Sequence, residues 1–508
     1  MTSAATARDA VRPAGPDAAP PATTAKSKRS YLHHLDLIRA TTFGLVIFIH
    51  VLTQTTDEVN SIGVTTTGLL LHFTRNTFFA LTGFVLAYQY FDRADFSTWS
   101  FWRRRIKLVL YPYVIFTAIY FTVKILLPQG RLSTDVHDFG GYLWGGLTGS
   151  SSLRDFPSSV SGTFKEFAWN LGWGLGGGGF HMYFLFVMVQ VYLLFPLVLW
   201  LLQVTKGYHA VVLGASLALQ FVIAYTITHW LPTSSPWWHH YVVFIPYQFF
   251  LMYGAIAAVH RDAIARAVTG ENARYVGIGL VATLLITGGY AVGTFFDRVD
   301  TSDGAPNLYS GPFQPTLLPF LVTAIACLYA AALTWSHRWR TSTPRFARAV
   351  AYASNRSFGV FLVHVLVLYF VLGMSGHGLD SWVITTLPQP LGTAVVYLAT
   401  LAGSLLLVEV LRRLPGSVYL TGRERLPLPR LRKAANNPTD EPATATPSTA
   451  APSARHCPTR LRWHFATGIS GQTAQNAAAP SHRKTSRPAR SAAASRLCRP
   501  ARPRPGNT

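Results

Sequence analysis

Charge is scarce in this chain. Only 13% of its 508 residues are charged, about half the usual share of a soluble protein. Acidic residues number 21 against 44 Lys and Arg, a net charge of +23. Such an excess first suggests nucleic acid. The basic residues, however, sit in short loops between apolar runs and in the two tails, the pattern of a membrane protein's cytoplasmic side. No nucleic-acid partner is expected. Cysteine is scarcer still: Cys327, Cys457 and Cys498 offer neither a disulfide framework nor metal-ligand spacing. No metal is expected, and Cys327, inside an apolar run, reads as a small buried hydrophobe. A cleavable signal peptide is not expected either, because the first apolar run is too long and polar-studded and no clear small-residue cleavage site follows it. The glycine-rich run LGWGLGGGGF (171–180) lacks the Lys-Ser/Thr of a phosphate loop. It reads as a flexible lead into a helix or as a close backbone approach to a substrate.

What the chain has instead is long apolar runs. Ten are expected to span a membrane, near 35–56, 67–91, 106–127, 180–204, 208–231, 240–260, 275–297, 314–335, 356–374 and 390–411. One set of connections carries Lys26, Lys28 and Arg29, then Arg93 with Arg103 to Arg105, Lys206, a group from Arg261 to Arg274, another from Arg338 to Arg356, and Arg412 and Arg413. The alternating set carries only Arg131, Arg154, Lys165 and Arg298. The expected fold is therefore an all-α, polytopic helix bundle in the cell membrane with both termini cytoplasmic. Three regions follow: an Ala/Pro/Thr-rich N-terminal tail (1–30), a membrane domain (31–413) and a basic, Ala/Pro/Arg-rich tail (414–508). Neither tail has a core-forming pattern, and the second would favour the anionic inner leaflet of the bilayer.

The run LDLIRATTFGLVIFIHVLT (35–53) is long enough to cross a bilayer, yet it holds Asp36, Arg39 and His50. Ionisable groups in such a span are costly and rare. Arg39 and His50 are eleven residues apart, roughly 16 Å of helical rise with about 20° of angular drift. They share one face, Arg39 near the membrane edge and His50 deep. An interfacial anchor plus a helix–helix hydrogen bond would explain the pair; a functional stripe is the other reading. Arg75 in the second span falls at the depth of His50, and an arginine there needs a counter-charge, a carbonyl cage or a wet cavity. His72 and Asn76 are placed to share it, and Asp57 and Glu58 lie on the outer rim. Arg103, Arg104, Arg105 and Lys107 crowd the cytoplasmic start of the third span. They are topogenic, and with Arg39 they suit several phosphates, since guanidinium binds phosphate oxygens bidentately. His364 lies about two turns into the ninth span. His181, Tyr183 and Gln190 open the fourth, where polar helix contacts explain them.

Several of these stretches together resemble the membrane acyltransferase 3 family. RATTFGLVIFIH has the Arg, ten residues and His of that family's first helix. FFALTGF (78–84) is similar to its second-helix motif, with Thr82 for Ser. HMYFLFVMVQVYLLFPLV (181–198) and FGVFLVH (358–364) resemble two further motifs, with Tyr183 for Trp, and with Phe358 and Phe361 for two tyrosines. HVLTQTT, FTRN, RIKLVLYPY and VMVQ look most like the poly-N-acetylglucosamine (intercellular adhesin) branch. The likeness covers roughly residues 31 to 413.

The resemblance implies transfer of an acyl group, acetyl or succinyl, from cytoplasmic acyl-CoA to hydroxyls of an extracytoplasmic glycan or exopolysaccharide. Acyl-CoA is then the donor substrate, with its phosphates at Arg39, Arg103, Arg104, Arg105 and Lys107. His50 would be the base, with Arg75 and His364 as the other catalytic residues. The partners would be the bilayer, a glycan or small hydroxylated acceptor and a glycosyltransferase. Two alternatives stand beside it: a polysaccharide exporter without acyl chemistry, and an acyltransferase acting on a small metabolite. An exporter needs acidic or aromatic residues recurring along a conduit through many helices, whereas here the intramembrane ionisable residues gather in the first three spans and at His364.

Overall fold

The computed structural model describes residues 30–56, 61–126, 181–231, 240–301, 306–372 and 386–427, with five positions between 165 and 172. Almost all of the expected outer loop 128–179, Asp57 and Glu58, and the tails 1–29 and 428–508 lie outside the described residues. Among the described residues there are helices and turns but no strand. Lipid offers the backbone no hydrogen bonds, so apolar runs of this length satisfy their own amides as helices.

Thirteen α-helices are described: α1 His33–Thr55, α2 Ile62–Leu71, α3 Phe73–Tyr90, α4 Thr98–Leu126, α5 Tyr183–Val204, α6 His209–His229, α7 Gln248–Val259, α8 Arg261–Thr269, α9 Ala273–Asp300, α10 Leu318–Thr334, α11 Pro344–Val371, α12 Leu391–Leu411 and α13 Ser417–Thr421. Helices α2 and α3 together form one crossing, broken at His72, whose N–H bonds to Leu69 O at 3.3 Å. Nine helices among the described residues are long and apolar enough to span a bilayer. Ile278, Leu285 and Ile286 of α9 are each more than half exposed, as a lipid-facing helix requires and a water-facing one would not tolerate.

The sixth expected span, 240–260, is corrected by the structure. Its apolar helix runs only Ile245–Val259, about 22 Å at 1.5 Å per residue against a hydrocarbon layer of about 30 Å. The reason is a side chain. Gln190 accepts from the Phe244 N–H at 2.9 Å and donates to Val242 O at 2.8 Å, satisfying the backbone before the helix begins, and Pro246 starts the turn without an N–H of its own.

The short element still reverses the chain. Helices α1 and α11 lie side by side and parallel: Ser354 bonds to Asp36, Phe361 packs on Phe43 and His364 on His50. The six long helices between them would return α11 antiparallel, so residues 245–259 supply the missing reversal. This helix crosses α3 with the two backbones touching. A Cβ on Gly83 would lie 2.0 Å from Leu251 O, and one on Gly254 would lie 1.7 Å from Ala80 O. Small residues permit such an approach.

Both described ends of the chain meet at one end of the bundle. Tyr88 donates to Ser30 O at 2.9 Å, and Leu426 N–H bonds to Arg412 O at 2.7 Å. Residues 414–427 therefore differ from the tail expected of them. They turn back through α13, which packs on α4, α11 and α12.

Candidate functional site

The helical register places two groups of candidate side chains at opposite ends of α1. Toward its C-terminal end, His50 and His364 face each other, ring centroids 5.3 Å apart. His181, at the start of α5, stacks edge-on against His364 at 4.8 Å. Phe361 closes the group, 5.3 Å from His181. The sequence pointed to His50 and His364 separately; the fold brings them together and adds His181. Among the described residues no group of His, Cys, Asp or Glu is arranged to hold a metal ion.

His364 is fully buried. Its Nδ1 lies 2.7 Å from Phe361 O, and a carbonyl only accepts, so Nδ1 carries the proton. Nε2 is then the basic nitrogen of the neutral ring, and it is buried with no hydrogen-bond partner among the described residues. The turn holding this histidine is fixed from across the bundle. The Tyr120 hydroxyl donates to Leu362 O at 2.9 Å and accepts from the Leu366 N–H at 3.1 Å. Those two backbone groups are the i and i+4 ends of one helical step, with His364 between them. Tyr120 was missed by sequence reasoning. Its only signal was its place seven residues from Tyr113 on α4.

Arg75 occupies a cage beside this group. Its guanidinium stands 4.7 Å from the Phe313 ring and 5.3 Å from the Tyr247 ring, and it donates to the Tyr183 hydroxyl at 3.4 Å. Among the described residues no carboxylate pairs with it. A desolvated cation–π contact contributes about 2 kcal/mol, and a charge in a span costs about 3 kcal/mol on insertion scales. The two rings can therefore offset the burial without a counter-ion, leaving Nε and Nη2 buried with no hydrogen-bond partner among the described residues. Asn76 Oδ1 is in the same state, while His72 donates from Nε2 to Ser310 O at 2.9 Å. Tyr183, the first residue of α5, and His181 just ahead of it link cage and histidines. Tyr247 comes from the interrupted sixth span, so the break that shortens that helix also supplies a wall of the cage.

The opposite end of α1 is built from fixed charges. Asp36 is buried and accepts from the Tyr31 hydroxyl at 2.7 and 2.9 Å and from Ser354 Oγ at 2.7 Å. Arg39 Nη1 lies farther from it, at 3.5 Å, and a quarter of the arginine side chain remains exposed. Tyr31, just ahead of the span, has its pKa pushed up to about 12 by burial and then by its bond to Asp36, so it stays a donor. Of the basic cluster on α4, Arg103, Arg104 and Lys107 are exposed, and Arg104 bonds back to Ser100 O at 3.0 Å. Arg105 hydrogen-bonds Gln89 and lies 5.8 Å from the Tyr90 ring centre. These groups share the end of the bundle that carries Arg39, because Gln89 is next to Tyr88, which holds Ser30.

The arrangement thus places a partly exposed, cationic mouth at one end of α1 and a cluster of imidazoles at the other. It can hold an anionic group at the mouth while a proton moves at the far end. The model of the acyltransferase 3 family, described as an acyltransferase domain, matches residues 32–409. No curated protein and no solved structure matches the chain.

Proposed function

The chain belongs to the acyltransferase 3 family, whose domain covers residues 32–409, and on that premise we propose that it carries an acyl group from acyl-CoA to a hydroxyl across the membrane. The observation that carries this reading is the contact of half-buried His50, on the same helix as Arg39, with buried His364, whose tautomer is fixed. The cation-rich end faces the cytoplasm, since positive loops stay inside. There the phosphates of the donor meet Arg39, with Arg105 and Lys107 nearby. The thioester end of the donor extends along α1 toward His50, roughly 16 Å away by helical rise.

The acceptor reaches the histidines from the other side. Its hydroxyl oxygen attacks the thioester carbonyl, the His50–His364 pair takes the hydroxyl proton, the carbon–sulfur bond breaks and the proton passes to the departing thiolate. A positioned base of this kind contributes about a hundredfold or more. The free N–H groups of Arg75 serve the oxyanion or an acid group on the transferred acyl chain. Acetyl and succinyl are the acyl groups proposed. The acceptor is proposed as an extracytoplasmic glycan, the exopolysaccharide acceptor suggested by the likeness of HVLTQTT and FTRN to the poly-N-acetylglucosamine branch.

The test is sided transfer. The protein is reconstituted in vesicles with labelled acyl-CoA on its cytoplasmic side and a glycan on the other. Labelled ester on the glycan, with free CoA left on the donor side and both lost in His50→Ala, supports the proposal. Glycan movement without ester, indifferent to acyl-CoA, assigns the chain to export and ends it.

A further inference from the structure

Beyond residue 409, where the family match ends, the chain makes a hook. Gly416 and Gly422 both adopt left-handed backbone, with φ of 80° and 63°, and bracket the five-residue α13. Leu426 N–H returns to Arg412 O, Arg425 Nε donates to Arg413 O at 2.8 Å and Ser417 Oγ donates to Arg423 O at 3.0 Å. Gly422 is wedged between helices: a Cβ there would stand 3.0 Å from the Phe358 ring and 3.6 Å from Leu108 O. The left-handed turn and the tight fit both require glycine. They set Arg423 over the mouth, between α4 and α11.

Arg423 lies close enough to Arg39 and Arg412 to feel the charge of both, and its own pKa is lowered, first by burial and then by Arg39. Its guanidinium makes no hydrogen bond or ion pair among the described residues. Arg412 is 6% exposed. It donates from Nη1 to Asn355 at 3.1 Å, and its Nε is buried with no hydrogen-bond partner among the described residues. The nearby carboxylates offset only part of this charge. Asp36 pairs with Arg39 at 3.5 Å while accepting from Tyr31 and Ser354, and Glu409 is held by Arg356 and Arg413. Three like charges folded together under partial burial repel one another, and a ligand carrying several negative charges removes that cost.

We propose that Arg423 and Arg412, supplied by the hook, complete with Arg39 a binding site for the phosphate groups of the donor. Guanidinium forks match phosphate oxygens two at a time, and three forks against one shared carboxylate call for more than one phosphate. The identity of the ligand as acyl-CoA rests on the function proposed above; the polyphosphate site does not. A lipid headgroup has the same chemistry, so the assay must separate the two sources.

The full chain is placed in phosphatidylcholine nanodiscs, and binding of CoA and of inorganic pyrophosphate is measured by calorimetry for wild type, Arg423→Gln and Arg423→Lys. Losing a charge-assisted fork should weaken CoA binding about tenfold or more, with Lys between the two. In sided transfer the same variants should raise donor KM and leave kcat near wild type. Should Arg423→Gln fail to fold, the Lys variant and Arg412→Lys carry the same comparison. If CoA does not bind but pyrophosphate does, and Arg423→Gln weakens it, the anion site stands and the acyl-CoA reading falls. If CoA binds wild type and Arg423→Gln equally, the donor reading stands and the proposal falls. If neither probe binds wild type, the proposal falls as well. Repeating the assay with phosphatidylglycerol decides the source. Retained, Arg423-dependent CoA affinity supports a soluble donor, and collapse to the Arg423→Gln level assigns the hook to lipid headgroups and overturns it.

Discussion

The two ends of α1 hold polar groups in opposite ways. At the mouth, Arg39 and Asp36 pair with each other, Asp36 also takes the hydroxyls of Tyr31 and Ser354, and a quarter of the arginine side chain stays exposed. At the far end, the rings of His50, His181 and His364 gather without a described carboxylate, and the proton of His364 is placed by a backbone carbonyl. One end suits attraction at a distance. The other suits, on the proposed function, transfer of a proton over a bond length. Under the proposed function, charge left over at the mouth would select what binds, and the open Nε2 of His364 would take part in what reacts.

Breaking the far end should have the largest effect. His50→Ala or His364→Ala should lower sided acyl transfer about a hundredfold or more with donor affinity kept. Two variants that still transfer at the wild-type rate would remove the histidines from the chemistry. Breaking the mouth should do the reverse. Arg39→Ala should raise donor KM about tenfold, with Arg39→Lys recovering only part, since a point charge lacks the fork. An unchanged KM would strip Arg39 of its phosphate role.

A subtler change sharpens the contrast. Tyr120→Phe removes the hydroxyl that spans Leu362 and Leu366 while keeping the ring that packs on His181 at 5.1 Å. It should lower kcat about fivefold, the scale of one neutral hydrogen bond, with donor KM unmoved. A shift in KM instead would show that the two ends are coupled through α11. The smallest effect belongs to the tail: removing residues 428–508 should leave transfer and stability as they are. Cutting at 426 instead would lose the bond from Leu426 to Arg412, so that truncation should weaken donor binding.

Much of this organisation was legible in the sequence. The helical period alone puts Arg39 and His50 on one stripe, and α1 is one unbroken helix. Apolar run length gave nine of the ten crossings as spanning helices. It misjudged the sixth because hydropathy counts side chains, whereas the break at 240–247 is made by Gln190 reaching into another segment's backbone. The meeting of His50 with His364 and His181 depends on the parallel packing of α1 and α11, which no local pattern encodes. Tyr120 looked like one apolar residue among many. Arg423 sat in what composition read as tail, since the two glycines that fold it back mean nothing until their φ values are known.

The parallel course of α1 and α11 has an electrical consequence. Both helices begin at the mouth, and so does α4, whose Leu108 touches the hook. Each helix start carries the equivalent of about half a positive charge, and each end about half a negative one. The effect is confined to about one turn, and α12, which packs on α1 and α11 and ends at the mouth by Arg412, offsets part of it. What remains favours an anion against the first turns at the mouth, so the backbone there adds to the pull of the side chains.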